Sequence, residues 1–406
     1  MWWRGTFRSS RAIITRSGIA PCTGFCIVQR TEEDSTINQR QKQQDRGGHL
    51  SNTFAFVIHP IDPKRDVERK FPLLGRYLPV SVIHFLSRFF PPLYISNITG
   101  VRSATGAETE GWFVACPFTP TRMMTVPLPV AYRKIVQTGQ LAQKLGAKIL
   151  GMGAFTSVVG DAGITIAEQL SIPATTGNSY TIAMAVQAVR VAAEQMEIDI
   201  SQATIAVVGA TGAVGRVCAR LLARECKTML LVARDLDRVQ AIRDTIMAEP
   251  GAETYATTDH TAISQADIII TVTSEIGTVI EPYHLRKGAV VLDVARPRDV
   301  SRKVAEQRDD VLVIEGGMVE VPGPDLDFGF NFGFPPRMAF ACMAEVMILA
   351  LEERFESFTL GREITIDQVL EIEALGAKHG FKLGGFRSFE RAVTQDEIER
   401  VKRAAH

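Results

Sequence analysis

The 406-residue chain lacks an excess of either charge: 45 Lys and Arg face 45 Asp and Glu, and the formal net charge is zero. Nucleic-acid binding draws on clustered positive charge, so this balance argues against it. Long apolar runs are missing as well. No uncharged apolar stretch reaches about 20 residues, and no membrane-spanning helix is expected. Cysteine is sparse. The six, Cys22, Cys26, Cys116, Cys218, Cys226 and Cys342, show neither zinc-ligand spacing nor a disulfide framework. That points to free thiols in a reducing cytoplasm. Histidine is also scarce. His59, His84, His260, His284 and His379 form no metal-ligating cluster and no Ser-His-Asp arrangement that spacing supports, so no metal site is expected.

The first 30 residues contain no acid, yet they carry Arg4, Arg8, Arg11, Arg16 and Arg30. Residues 31–50 are polar and nearly free of apolar positions. Such a composition cannot bury a core. It resembles a transit peptide, but a disordered or misassigned tail is the reading adopted for residues 1–52. No internal repeat is visible.

What is present begins with hydrophobic residues, 46% of the chain, ample for a sizeable core. The most specific stretch runs from Ala203 to Arg234. An apolar run, Ile205 to Val208, meets a glycine turn, Gly209-Ala210-Thr211-Gly212-Ala213-Val214-Gly215. A helical pattern follows, then a second apolar run, Met229 to Ala233. Strand, glycine turn, helix and strand within about 30 residues is the unit that cradles a dinucleotide pyrophosphate. Gly209, Thr211, Gly212, Ala213, Val214 and Gly215 are the candidate phosphate contacts. An NAD site places an acid at the end of the second strand. Here Arg234 stands there, with Arg238 one helical turn on, and a guanidinium suits a 2′-phosphate. NADPH is therefore the expected cofactor. The other register would leave Arg234 in solvent and give the ribose to Asp235.

Further apolar runs without alternation, Ala266 to Val272, Ala289 to Val294 and Val311 to Ile314, suit parallel strands covered on both faces. With the first two runs they make five strands of a doubly wound, Rossmann-type sheet. Thr273 and Ser274 follow one of them, where a nicotinamide ribose lies. A second α/β region precedes it. Thr53 to Ile58 reads as its first strand, and Ala147 to Gly153 as a strand carrying Ala154-Phe155-Thr156-Ser157 at its carboxyl end. Pro173 to Ser179 leads into a helix over 180–196 that Asn178 or Ser179 can cap. The apolar segment 77–94 is broken by prolines and reads as core, greasy lid or membrane-facing edge. After the Gly/Pro/Phe-rich loop ending at Pro336, a helix is expected over 337–355, with two more helices closing the chain. The expected organisation is a substrate domain over 53–198, a cofactor domain over 199–330, and C-terminal helices over 331–406 that pack back on the substrate domain.

Cys342 lies in that helix, after the glycine-rich loop. A thiolate beside a nicotinamide suits thioester reduction. A helix beginning at 337 would leave it about a turn too deep for much help from the dipole. Taken alone, a cysteine in Ala-Phe-Ala-Cys-Met-Ala is more often a small buried hydrophobe. His59 could donate a proton or be a satisfied histidine. Asp293 could hold a ribose or the backbone.

The motifs Gly151-Met152-Gly153-Ala154-Phe155-Thr156-Ser157, Thr175-Thr176-Gly177-Asn178, Gly209-Ala210-Thr211-Gly212, Gly316-Gly317-Met318-Val319-Glu320 and Phe340-Ala341-Cys342-Met343-Ala344-Glu345 occur in an order and spread that resembles the long-chain fatty acyl-[acyl-carrier-protein] reductase family. The resemblance covers roughly Phe54 to Phe381. It implies that Cys342 carries the acyl group as a thioester and that the product is a fatty aldehyde. Acyl carrier protein or coenzyme A would be the donor. Thr156, Ser157 or backbone amides would face the oxyanion. The segment 60–92 departs from the family pattern, being more basic at Lys64, Arg65, Arg69 and Lys70 and richer in aromatics. It bears on chain length, carrier recognition or peripheral membrane contact. Two other readings compete: a shikimate- or amino-acid-type dehydrogenase, which needs a Lys-Asp pair in a polar pocket, and a cofactor-binding sensor without turnover.

Overall fold

The computed structural model describes residues 52–60, 62–274 and 277–405. The expectations on residues 1–51, including the tail, Cys22 and Cys26, lie outside it.

The first sheet is built around β1 (Thr53–Ile58), whose Phe54, Ala55, Phe56 and Val57 are all buried. Continuous burial of successive residues means that both faces are covered. Strand β1 runs parallel to β3 (Glu108–Ala115) and to β4 (Ile149–Met152). The edges are β2 (Leu93–Arg102), antiparallel to β3, and the short β5 (Ala174–Thr175). Between β1 and β2 lie three short helices, α1 (Pro63–Lys70), α2 (Pro72–Tyr77) and α3 (Val80–Leu86). Prolines at 72 and 79 separate them, as the broken apolar segment required. One face of the sheet is covered by α4 (Leu128–Leu145).

The second sheet is the dinucleotide unit, with six parallel strands. These are β6 (Thr204–Val208), β7 (Thr228–Val232), β8 (Glu253–Thr257), β9 (Ile268–Thr271), β10 (Val290–Asp293) and β11 (Leu312–Glu315). Their order is β11-β10-β9-β6-β7-β8. The sixth strand, β8, was not legible. It reads Glu-Thr-Tyr-Ala-Thr at a sheet edge, where half-exposure removes the need for an apolar run.

Helix α5 (Asn178–Gln195) packs against both α6 (Ala213–Leu222) of the second sheet and α8, introduced next. Between β7 and β8 the chain forms α7 (Leu236–Met247), which packs on β8. Beyond β11 the chain forms β12 (Met318–Glu320) and β13 (Met338–Phe340), antiparallel to one another, and then α8 (Ala341–Leu351). Ten of the eleven residues of α8 are buried, a helix apolar all round that lies in the core. It packs on β1, β3 and β4 opposite α4. Helix α9 (Ile366–His379), a third strand β14 (Lys382–Leu383), the hairpin β15–β16 (Arg387–Ser388 and Arg391–Ala392) and α10 (Gln395–Ala405) complete the chain. Residues 50–406 form one compact unit.

Two expected boundaries move. The helix expected from residue 337 begins at Ala341, because Met338–Phe340 pair with β12 and the Ala341 amide donates to the Gly317 carbonyl at 2.7 Å. The helix expected to be capped by Asn178 or Ser179 instead starts after Gly177, which stands at the cap position at φ 72° and offers no side chain.

Candidate active site

A cavity of about 680 Å³ opens between the two sheets, within the size range of small-molecule sites. Its wall joins three chemically different regions. Aromatic and aliphatic side chains, among them Phe56, Ile83, Leu86, Phe330, Phe332 and Phe340, form an apolar tunnel. Gly212, Ala213, Val214, Thr273 and Ser274 bring the glycine turn and the end of β9 to it. Cys342 lines the same cavity, as do Gly153, Ser157 and Asn178.

The dinucleotide turn has the form the cofactor needs. Gly209 adopts φ 87° at the end of β6. A Cβ on Gly215 would sit 2.4 Å from the Gly209 carbonyl oxygen, so only glycine lets α6 approach the strand. Gly212 caps α6 without a side-chain bond and is exposed, leaving the helix amides open to a phosphate. At the far end, Arg234 is exposed two residues beyond β7. The Asp235 carboxylate accepts the Arg238 amide at 3.1 Å as the cap of α7, which commits it to the helix. These residues fit a phosphorylated dinucleotide.

Cys342 is the second residue of α8, in the first helical turn. The earlier expected helix start put it too deep for the dipole; the structure gives it the full N-terminal field. Two glycines press on it. A Cβ on Gly177 would lie 2.4 Å from Cys342 Cα, and one on Gly153 would lie 3.4 Å from its Sγ. So the loops after β4 and β5 meet at the sulfur. Burial pushes the thiol up to about 12 and Glu345 adds to the rise, while the Met343 amide and the Arg296 guanidinium pull it back. The residue still touches the cavity, so the full rise applies once an apolar ligand displaces water there.

Glu345, one turn further along α8, is fully buried. Its carboxylate accepts the Tyr180 amide at 2.9 Å and the Thr175 hydroxyl. Burial raises its pKa, opposed by those bonds and by contacts from Thr359 and Gly177. It does for α5 what Asn178 and Ser179 were expected to do, placing negative charge at the helix N-terminus. The sequence offered no sign of it, since the cap and the helix are 165 residues apart.

The two hydroxyls fare differently. Thr156 is buried outside the cavity wall; its Oγ1 donates to the Gly153 carbonyl at 2.7 Å and accepts the Gly153 amide. Ser157 lines the cavity, but its Oγ donates to the Ala154 carbonyl at 2.7 Å. Both hold the loop in shape. Thr273 reaches the cavity with its Oγ1 donating to Asp299 at 2.6 Å. His59 also lines the wall. Its Nε2 accepts the Phe155 amide at 3.1 Å, which leaves the proton on Nδ1 facing the Pro60 carbonyl. Burial lowers its pKa to about 4, so it is a satisfied neutral histidine. Asp293 accepts the amides of Ala295 and Val300 and braces the loop after β10. Cys116 and Cys218 are buried, and burial raises both thiols. No group of metal-binding side chains occurs among the described residues.

Fold and site together define an NADPH-dependent oxidoreductase with a Rossmann-type sheet. Residues 190–315 match the model of the shikimate/quinate 5-dehydrogenase family. A long-chain acyl-[acyl-carrier-protein] reductase of Synechococcus elongatus is 33% identical over 350 residues, 82% of this chain and 97% of that protein. The chain belongs to the long-chain acyl-[acyl-carrier-protein] reductase family. The aminotransferase PigE of a Serratia species is 31% identical over 313 residues, 76% of this chain; the chain spans only 36% of PigE's length. Among solved structures, a malic enzyme of Entamoeba histolytica aligns over 97% of this chain and 77% of its own, at 14% identity and a TM-score of 0.42. That likeness is too distant to bear on function.

Proposed function

We propose that the protein reduces a long-chain acyl thioester, carried on acyl carrier protein or coenzyme A, to a fatty aldehyde through an acyl group held on Cys342. The observation that supports this most is the continuity of one cavity from an apolar tunnel, past a thiol in the first turn of a helix, to the dinucleotide turn. In this reading residues 53–198 bind the acyl group, 199–330 bind NADPH, and 331–406 carry the nucleophile back to the first sheet. The Cys342 sulfur attacks the thioester carbonyl, and its proton leaves with the donor's sulfur. Backbone amides beside Cys342 would face the oxyanion, a role the committed hydroxyls of Thr156 and Ser157 leave open. NADPH supplies the hydride that releases the aldehyde. The Cys342 sulfur keeps the electron pair of the broken C–S bond and is protonated again.

The test is the intact mass after incubation with a long-chain acyl thioester and no NADPH. A gain of one acyl group, discharged as aldehyde on adding NADPH, is expected; no adduct with any donor rejects the reading. A small-carbonyl dehydrogenase is less well supported, because no lysine lines the cavity among the described residues.

The same reading gives Arg234 the 2′-phosphate. Arg234→Ala should weaken NADPH binding by about tenfold and leave NADH binding unchanged, since a charged hydrogen bond contributes about 1.5–3 kcal/mol. Equal loss for both nucleotides would reject the assignment.

No helix among the described residues is long and apolar enough to cross a membrane. The helices α1 to α3 nevertheless form an apolar collar at the cavity mouth, with Leu73, Tyr77, Phe85 and Phe89 exposed and Arg76 and Arg88 beside the rings. We assign this collar to peripheral contact with an anionic bilayer, where a fatty aldehyde departs. The protein should cosediment with anionic vesicles, and Phe85→Ser with Phe89→Ser should lower the bound fraction about tenfold or more, given about 1.5–3 kcal/mol per buried aromatic. Wild-type protein that stays in the supernatant at low salt sinks the assignment.

A further inference from the structure

Three buried guanidinium nitrogens on the wall of the cavity have no hydrogen-bond partner: Nη2 of Arg296, Nε of Arg298 and Nε of Arg387. Buried polar groups are nearly always paired. Of the seven unpaired buried side-chain atoms among the described residues, these three gather at one site. They belong to a connected network of charges that line the same cavity as the thiol. Arg296 lies over the Phe340 ring at 5.0 Å, beside Cys342, and its Nη2 is 3.8 Å from Glu315. Arg298 bonds Glu315 at 2.8 Å and approaches Glu390 to 3.5 Å. Arg65, on the collar helix α1, pairs with Glu390 at 2.8 Å. Arg387 donates to the Glu390 carbonyl.

This network holds more cations than acids. Arg65 and Arg298 reach the Glu390 carboxylate, Arg387 donates to the Glu390 carbonyl, and Glu315 is the other acid among them. Two further acids at α1 line the cavity: Asp62 accepts the amides of Lys64 and Arg65, Asp66 accepts the Asp62 amide, and both favour the charged form of Arg65. Arg387 is also held rigidly. The turn of its hairpin consists of Phe389 and Glu390 at φ 46° and 73°. Two-residue hairpin turns with positive φ ordinarily use Asn or Gly. Here the strained conformation is secured from outside the hairpin. Glu315 accepts the Glu390 amide at 2.9 Å, and Arg298 covers the Phe389 ring at 5.6 Å. Residues kept in such conformations cluster at binding sites.

We propose that Arg298 and Arg387 seat the 4′-phosphate of a phosphopantetheine arm, the group that acyl carrier protein and coenzyme A share. This rests on the thioester reading above. Guanidinium forks match phosphate oxygens in geometry and charge. The arm would bring its thioester to Cys342 and its phosphate to Arg298 and Arg387, which line the same cavity.

The experiment is calorimetric titration of the NADP⁺-loaded protein with 4′-phosphopantetheine and with pantetheine, then with acyl-carrier protein and coenzyme A. Wild-type protein should prefer the phosphorylated arm by about ten- to a hundredfold, the range of hydrogen bonds to a charged group. Arg387→Gln and Arg298→Gln should each shrink that preference at least fivefold, or roughly 1 kcal/mol at 1.4 kcal/mol per decade. Unchanged NADPH affinity shows that each variant is folded. Arg298→Gln, at the less buried position, stands in if Arg387→Gln does not fold. Loss confined to the carrier assigns the seat to a protein-borne arm; equal loss with coenzyme A assigns it to either donor. Equal affinity of the wild type for both small arms, or a preference that survives both substitutions, overturns the seat. Because binding is read without turnover, the seat can fail while aldehyde formation stands, and the reverse.

Discussion

Cys342→Ala should abolish the acyl adduct and lower aldehyde formation by at least about a thousandfold, the scale on which a covalent nucleophile is lost. The position argues for it from three sides. Cys342 stands in the first turn of α8, so helix amides favour negative charge on sulfur. Gly153 and Gly177 crowd it from the ends of two strands, leaving no room for a side chain between loop and thiol. Arg296 lowers the thiol's pKa, though burial dominates and raises it to about 12. Only the thiolate attacks, so single-turnover acylation should climb about tenfold per pH unit from about pH 7 to about pH 9. NADPH binding should be unaffected in Cys342→Ala, because the phosphate cradle lies on α6. Aldehyde produced at the wild-type rate by this variant would mean direct reduction of the bound thioester without an acyl-enzyme.

Gly177→Ala should cripple acylation by about a hundredfold or more, the penalty for displacing a reacting atom by about an ångström. The new Cβ would lie 2.4 Å from Cys342 Cα and 2.5 Å from its carbonyl oxygen, both backbone atoms that cannot swing aside. The positive φ of 72° adds strain of about 1–3 kcal/mol. The two contributions separate with a control. Gly106 has φ 90° and nothing within 4 Å of its missing Cβ. Gly106→Ala should carry the backbone strain, lowering the melting temperature, and keep full acylation. Equal acylation by the two variants would show that the close approach to Cys342 does not matter to its chemistry.

How far the sequence carries depends on the range of the forces involved. The dinucleotide unit was legible because its information is local. Strand, glycine turn and helix follow within one stretch, and Gly209, Gly212 and Gly215 answer to the backbone of their own neighbourhood. Strand β1 was legible to the residue, since a fully apolar run between loop signals has few alternatives. The edge strand β8 was not, because exposure on one side removes the apolar pattern. The start of α8 was misplaced for a different reason. Pro335 and Pro336 are good helix-start signals, but pairing of Met338–Phe340 with β12 claims those residues first. That shift of four residues changes Cys342 from a buried mid-helix thiol into one at the helix N-terminus.

The sequence alone determined the Rossmann-type unit, the cofactor, the family motifs and the cysteine among them, since adjacent residues enforce turn geometry and periodicity. Only the tertiary structure decided which hydroxyls hold loops, that Glu345 caps α5, and that Arg298 and Arg387 come together beside one cavity. Those outcomes depend on contacts across many tens of residues. A side chain's partners are set by where the packed sheets and helices bring it, and no local pattern encodes that.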